Sequence, residues 1–456
     1  MTFFFHPVKS LFLQKKNLKV YIETYGCQMN VADSELIASL LKEKGYSLSE
    51  GYEDADLILV NTCSIRENAE QRVRGRLKLF GSLKRKNPDL VVGVVGCMAQ
   101  RLKDQLILEE KSVSLVVGPD QYRQLPELIE SARNGQAVVQ AILSSSETYD
   151  DIVPVRYDGN GISAFVSIMR GCQNMCSYCI VPYVRGGERS RDPESILSEI
   201  QTLKDENYKE VTLIGQNVDS YIFHGQETLN FHALLEKVAL RFPDMWIRFS
   251  TNHPKDLNDH LLEVMSRFPN ICKSIHLPVQ SGSTTVLERM KRGYTRDWYL
   301  DRIQAIRRIL PECTISTDVM VGFSGETDEE HLDTLSLMEA VSYDFAFMFK
   351  YSERSGTWAS RHMKDDVPEK SKVERLNQVI ALQGKVSERV KKEDIGKVFD
   401  VLVEGVSKRS TQQYFGRTSG NKVVVFPKGN VNKGDFTRVL ITSCTSATLI
   451  GEIYEQ

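Results

Sequence analysis

Between residues 19 and 119 the chain repeats one unit, a short run rich in β-branched and aliphatic residues followed by a segment of helical spacing. The runs are Lys19-Val-Tyr-Ile-Glu-Thr-Tyr-Gly26, Leu57-Ile-Leu-Val-Asn-Thr62, Leu90-Val-Val-Gly-Val-Val-Gly96 and Leu115-Val-Val-Gly-Pro119. Continuous apolar runs alternating with helices mark a parallel sheet covered on both faces. After the first run, Asp33 and Ser34 read as the start of a helix carrying Leu36, Ile37, Leu40 and Leu41 at helical spacing. Three runs end in a cysteine, Cys27, Cys63 and Cys97, spaced 36 and 34 residues apart. Parallel strands put their carboxyl ends on one edge, where open α/β sheets bind ligands. The three thiols are therefore predicted to converge. A lone cysteine there would be a small core residue; three in register favour a three-thiolate cluster.

A second trio is local. Cys172, Cys176 and Cys179 form a C-x3-C-x2-C loop directly after the predicted strand Ser163-Ala-Phe-Val-Ser-Ile-Met169. Thiols this close can meet at one centre, a geometry that suits a soft metal. A structural zinc site wants four closed protein ligands, whereas a [4Fe-4S] cluster on three cysteines keeps one iron open to a small molecule. Unrelated buried or disulfide cysteines are the remaining alternative. Nine cysteines in 456 residues are an odd count, which argues for metal ligation in a reducing compartment, the cytoplasm, over a disulfide framework. Cys272, Cys313 and Cys444 fit no cluster spacing and read as core thiols.

Further strands are predicted at Val211-Thr-Leu-Ile-Gly215, Trp246-Ile-Arg-Phe-Ser250, Ser274-Ile-His-Leu-Pro-Val279, Ile315-Ser-Thr-Asp-Val-Met-Val-Gly322 and Phe345-Ala-Phe-Met-Phe-Lys350. With the strand before the cysteine loop they make a six-unit βα pattern, a full or partial barrel with its chemistry on the carboxyl-terminal rim. Polar residues gather at those strand ends: Gln216, Asn217, Ser250, Thr251, Asn252, His276, Gln280, Ser281, Asp318 and Glu326. Buried polar groups need partners. A bound amino acid, ribose or adenine would supply them, as would helix caps and loop ties.

No run approaches the roughly 18 apolar residues of a membrane helix. Residues 1–17 read as a leader, and three domains are expected at 18–150, 151–393 and 394–456. A charged helix from about residue 367 to about 393 joins the last two or packs along the barrel. From Gly396 short alternating runs predict a small antiparallel β-barrel. A net charge of −2 gives no case for bulk nucleic-acid binding, so such a partner needs a local patch. The last domain offers one: Lys408, Arg409, Arg417, Lys422, Lys428, Lys433 and Arg438 stand against the single acid Asp435 between residues 408 and 438, with Tyr414, Phe415 and Phe426 among them. That composition suits an RNA surface, or a solvated basic face.

Four stretches together resemble the methylthiotransferase family of the radical S-adenosylmethionine superfamily, over nearly the whole chain from about residue 19. They are Thr24-Tyr-Gly-Cys-Gln-Met-Asn30 with Asp33-Ser-Glu35, Cys176-Ser-Tyr-Cys-Ile-Val-Pro-Tyr-Val-Arg-Gly186, His276-Leu-Pro-Val-Gln-Ser-Gly-Ser283, and Thr317-Asp-Val-Met-Val-Gly-Phe323. Within the family the chain is most similar to the branch acting on N6-isopentenyladenosine in tRNA. One departure is Gly322-Phe-Ser-Gly-Glu326, where the family reads Gly-Phe-Pro-Gly-Glu; losing the proline loosens that loop locally.

The resemblance implies two [4Fe-4S] clusters. One, on Cys172, Cys176 and Cys179, would bind S-adenosylmethionine and cleave it to a 5′-deoxyadenosyl radical, which takes hydrogen from C2 of the adenosine at position 37, beside the anticodon. The other, on Cys27, Cys63 and Cys97, would supply sulfur, methylated by a second S-adenosylmethionine. Tyr178 would pack on the adenine, while Gln216, Asn217, Gln280 and Asp318 would contact the cofactor. Arg185 would stand between the loop and the second cluster, unless it simply pairs with Glu188 or another carboxylate. The carboxyl-terminal segment resembles the TRAM domain, so Lys408, Arg409, Arg417, Lys422 and Lys428 are expected on RNA. Implied partners are the anticodon stem-loop of a tRNA carrying isopentenyladenosine, an electron donor such as flavodoxin or ferredoxin, and a sulfur or cluster carrier. Sister substrates, a threonylcarbamoyl-modified tRNA adenosine or a ribosomal-protein aspartate, would use the same chemistry. A non-catalytic iron-sulfur RNA-binding or electron-transfer protein is the distant alternative.

Overall fold

The computed structural model describes residues 18–64, 67–157 and 159–455; the expected leader, residues 1–17, lies outside them. The four amino-terminal runs pair in parallel as expected, within a six-stranded sheet. Its spatial order is Ser47–Leu48, Lys19–Tyr25, Leu57–Thr62, Val91–Val95, Leu115–Val117, Val138–Gln140. The two edge strands were not expected from the sequence, since Ser47–Leu48 holds one apolar residue and Val138–Gln140 ends in a polar one. Successive strand residues divide between two cores. Leu57, Leu59, Val91 and Val95 pack under the helices Gln28–Glu43 and Leu125–Arg133. Ile58, Val60, Val92 and Val94 face the side of Glu67–Lys86 and Cys97–Leu102. Each aliphatic side chain so buried contributes roughly 1.5–3 kcal/mol, which fixes strand order and therefore which loops share an edge.

The second body is an open barrel of six parallel strands in two halves. Ser163–Ser167, Glu210–Ile214 and Trp246–Phe249 form the first, and Ser274–His276, Thr314–Val321 and Phe345–Lys350 the second. A parallel bridge from Ile247 to Ile271 links them. Helix Gln28–Glu43 of the first body lies against Ser163–Ser167. Helix Glu369–Lys392 covers the last strand, with Gln383 Nε2 donating to Tyr343 O at 2.9 Å and Ser387 Oγ to Asp344 O at 3.1 Å.

The carboxyl-terminal segment is a closed barrel of five strands. One pairing, Val423–Pro427 with Leu449–Ile453, is parallel, which corrects the all-antiparallel expectation. The polar residues and Gly416 of strand Gln413–Thr418 hide its alternation in the sequence. Phe426 is fully buried in this barrel's core and is not a surface ring. The barrel docks on the amino-terminal ends of the larger barrel's strands. Arg248 donates to Thr418 O and Ser419 O, both at 2.8 Å. Thr314 Oγ1 donates to Gly420 O at 2.7 Å, and Arg417 pairs with Glu210 at 3.4 Å. The small barrel therefore sits opposite the cysteine-bearing rim.

Candidate metal centre

Cys27 occupies the N-cap of helix Gln28–Glu43, Cys63 follows Leu57–Thr62, and Cys97 opens Cys97–Leu102. The helix thus begins well before Asp33 and Ser34, which have other partners. Gly26 has φ +146°, and a Cβ there would lie 2.5 Å from Asn30 Oδ1 and 2.7 Å from the Cys63 Cβ. The turns of Cys27 and Cys63 are that close. Asn30 Nδ2 donates to Asn61 Oδ1 at 3.0 Å, and Asn61 Nδ2 donates to Asn30 O and Ser34 Oγ at 2.8 Å. These buried amides lock one cysteine turn to the next strand. A hydrogen bond from the Cys63 thiol, opposed by burial and assisted by the Arg185 charge, brings the Cys27 thiol down to about 6. Burial pushes Cys97 up, against the pull of Arg185, whose Nε donates to Cys97 Sγ at 3.1 Å. Cys63 meets Cys27, and Arg185 acts on both Cys27 and Cys97, so the three strand-end thiols lie near one another.

The local trio is built on a tight crossing. A Cβ on Gly171, at φ +81°, would strike Gly187 O at 1.9 Å, so the turn before Cys172 requires glycine. Backbone N–H groups already point at the thiols, Asn174 N to Cys172 Sγ at 3.4 Å and Val181 N to Cys179 Sγ at 3.5 Å. Burial pushes Cys172 up to about 11 and Cys179 up to about 12. Cys176 accepts from Arg292 Nη1 at 3.2 Å, and Arg292 also donates to Pro278 O at 2.9 Å and Tyr294 Oη at 3.0 Å. Sequence reading missed Arg292; a basic residue in Lys291-Arg-Gly293 carries no sign of being buried. The two trios adjoin: Cys97 packs with Ile180 and Val184, just past Cys179.

Charged groups seal the seam between them. Asp33 pairs with both Arg170 and Arg185 at 2.7 Å, Asp120 holds Arg189 through two contacts of 3.0 Å, and Glu35, Arg156, Glu199 and Arg191 form a chain of pairs. Arg185 thus has both its expected place at the second trio and an ion pair, made with Asp33. Glu188 instead accepts from Gln173 N at 3.1 Å.

The expected cofactor contacts divide. Tyr178 is half-buried, edge to face with Phe323 at 6.3 Å. Gln216 accepts the Gly171 N–H and so supports the cysteine loop. Asn217 is buried; its Nδ2 donates to Asp256 Oδ2 at 2.7 Å while its Oδ1 has no partner. Gln280, at φ +70°, is held by backbone bonds to Asp318 and Met320. Asp318 meets His276 at 3.4 Å on the barrel's inner face. Glu326 ties its loop to Arg375 at 2.8 Å and accepts from Gly322 N, which fastens the loop lacking its proline. Beside Asn217, Asn252 Oδ1, Asp219 Oδ2 and both His253 ring nitrogens are also buried without partners. Burial pushes Asp219 up to about 8 and His253 down to about 2.

Of the expected RNA contacts, Lys408, Arg409 and Lys428 are exposed, the last 5.0 Å over the Tyr414 ring. Arg417 and Lys422 are not free. Arg417 is held by Glu404 and Glu210, and Lys422 by Asp394 at 2.6 Å and Asp344 at 3.3 Å. They fasten the small barrel to its neighbour. Lys428→Ala should accordingly lower the salt slope of RNA binding by about 1. Lys422→Ala should leave that slope unchanged and instead increase hydrogen exchange across the docking surface.

Among the described residues no three His, Cys, Asp or Glu side chains are grouped to hold a single metal ion. All nine cysteines are free, and six of them form the two trios just described. Cys272 and Cys313 are buried thiols pushed up to about 12, and Cys444 is half-buried. No helix among the described residues is long and apolar enough to cross a membrane.

Three family models match: the uncharacterized protein family UPF0004 over residues 19–118, the Radical SAM superfamily over 166–338, and the TRAM domain over 392–454. The chain is 58% identical over 438 residues to a Bacteroides fragilis protein named tRNA-2-methylthio-N(6)-dimethylallyladenosine synthase, covering 96% of each. It is 55% identical over 445 residues to a Porphyromonas gingivalis protein of the same name, covering 97% of this chain and 96% of the relative. Its fold is similar to the radical S-adenosylmethionine methyltransferase TsrM from Kitasatospora setae, with TM-score 0.56, 12% identity and coverage of 84% and 77%.

Proposed function

The chain belongs to the family of tRNA-2-methylthio-N(6)-dimethylallyladenosine synthases, and from that membership and its two thiol sites we propose that it inserts a methylthio group at C2 of N6-isopentenyladenosine at position 37 of tRNA. The observation that carries the reading is the contact of Arg185, on the helix after the cysteine loop, with Cys97 of the other trio. It joins two thiol sites into one reaction centre. Cys172, Cys176 and Cys179 would hold one [4Fe-4S] cluster and Cys27, Cys63 and Cys97 a second; bound there, the clusters supply electron transfer to S-adenosylmethionine and sulfur for the product.

The chain's own residues do the rest. Arg292 and Arg185 each donate a charge-assisted hydrogen bond to one thiol of a trio. Gln216 sets the loop. The unpartnered Asn217, Asn252 and His253 groups on the rim suit the polar atoms of the adenosyl and methionyl moieties. C2 of adenine carries no ionisable proton, so an acid–base pair on the rim would not suffice. Exposed Lys408, Arg409 and Lys428 would contact the tRNA backbone. An electron donor of flavodoxin or ferredoxin type and a sulfur or cluster carrier complete the cycle in the cytoplasm. Units 18–150, 151–393 and 394–456 then divide the work as sulfur donor, radical generator and RNA grip.

Nucleoside mass spectrometry of tRNA from cells lacking this protein tests the reading. Loss of the 2-methylthio group with the isopentenyl group kept is expected; unchanged methylthiolation of isopentenyladenosine would refute it.

A further inference from the structure

We propose that the inner face of the last barrel strand is a stacking platform for unpaired tRNA bases, leading from the small barrel to the cysteine loop; the inference rests on the tRNA substrate proposed above. In Phe345–Lys350 the residues alternate. Ala346 is buried in the main core, while Phe345, Phe347 and Phe349 are 50%, 43% and 37% exposed. Register places Ser316 beside Phe345, Asp318 beside Phe347 and Met320 beside Phe349, with His276 beside Ser316. Neighbours in register on a parallel sheet share a face. The opposite face, with Ile275, Ile315, Val319, Val321 and Ala346, is buried with the covering helices, so the aromatic face looks into the barrel's open interior. Phe345 and Phe347 meet edge to face at 4.8 Å, and the His276 ring meets Phe347 at 5.8 Å while bonded to Ser316 Oγ at 3.0 Å.

Three exposed rings at alternate positions, about 7 Å apart, are a costly surface unless something flat lies on them. What lies there is indicated by the strand's two ends. Just before it, Asp344 is held by Lys422 of the small barrel at 3.3 Å. Just after it, Tyr351 packs on Phe323 at 4.9 Å, and Phe323 on Tyr178 beside Cys179. The platform therefore runs from the docked end of the small barrel to the thiol loop, and the exposed Lys408, Arg409 and Lys428 lie at that barrel's other end. Rings in series with partly exposed His276 and Asp318 beside them suit bases, which offer a π-face and hydrogen-bonding edges.

Fluorescence anisotropy with a labelled anticodon stem-loop RNA carrying isopentenyladenosine, titrated against the anaerobically reconstituted full chain, tests this. Phe347→Ala and Phe347→Leu should each weaken binding roughly tenfold, Leu keeping the bulk but not the π-face. Phe347→Tyr should bind within about twofold of wild type, because its ring still stacks. The salt slope should be the same in all four, since no phosphate contact is changed. Equal affinity of the Leu variant and wild type overturns the platform, as does a Tyr variant as weak as Ala. Failure of the wild type itself to bind this RNA would instead strike the substrate assignment.

Discussion

With Cys172, Cys176 and Cys179 all changed to Ala, the reconstituted protein should form no 5′-deoxyadenosine and hold about four irons in place of about eight. With Cys27, Cys63 and Cys97 changed instead, iron should fall by the same amount, deoxyadenosine should persist, and methylthiolated product should vanish. The expectation comes from geometry. The first trio lies in one loop fixed by Gly171 and Arg292, the second at three strand ends locked by Asn30 and Asn61, and neither borrows a thiol from the other. Iron analysis and chromatography of the products read both results. Product from the second variant would show that the trios do not divide the labour.

Asp33→Leu is expected to destabilise the protein by about 3–5 kcal/mol, because removing one partner of a buried ion pair strands the other. Here two lose their partner at 2.7 Å, buried Arg170 and Arg185, and Arg170 keeps only the longer approach to Asp120 at 4.0 Å as an ion pair. The melting temperature should fall by roughly 10 °C. Arg74→Ala is the comparison, removing partly exposed pairs with Glu109 at 2.8 Å, Glu110 at 3.1 Å and Glu70 at 3.5 Å, each for less than about 1 kcal/mol. Equal melting of the two variants would mean that the seam is solvated.

The four long apolar strands and the spacing of both cysteine trios were legible because each rests on a local signal, an apolar run or a fixed interval. The seam was not. Asp33 and Arg170 are 137 residues apart, and isolated charges read as solvated surface until the fold brings them together. The same blindness misplaced the start of helix Gln28–Glu43: Asp33 looks like a cap, yet its carboxylate serves two guanidinium groups, and Cys27 takes the cap position. It also put Arg417 and Lys422 on the RNA surface, when carboxylates of neighbouring segments claim both. Gln216, expected as a cofactor contact, braces the cysteine loop by accepting the Gly171 N–H. Arg292 could not be found from pattern at all, since nothing local distinguishes a buried arginine from its solvated neighbours.

The small barrel rests on the amino-terminal ends of the larger barrel's strands, and the thiols gather at the opposite ends. A strand of the length of Thr314–Val321, 8 residues, is roughly 26 Å long. The proposed RNA grip and the thiols would then be held apart by a rigid spacer, and the depth of the larger barrel would set how far along the RNA the reacting nucleotide lies.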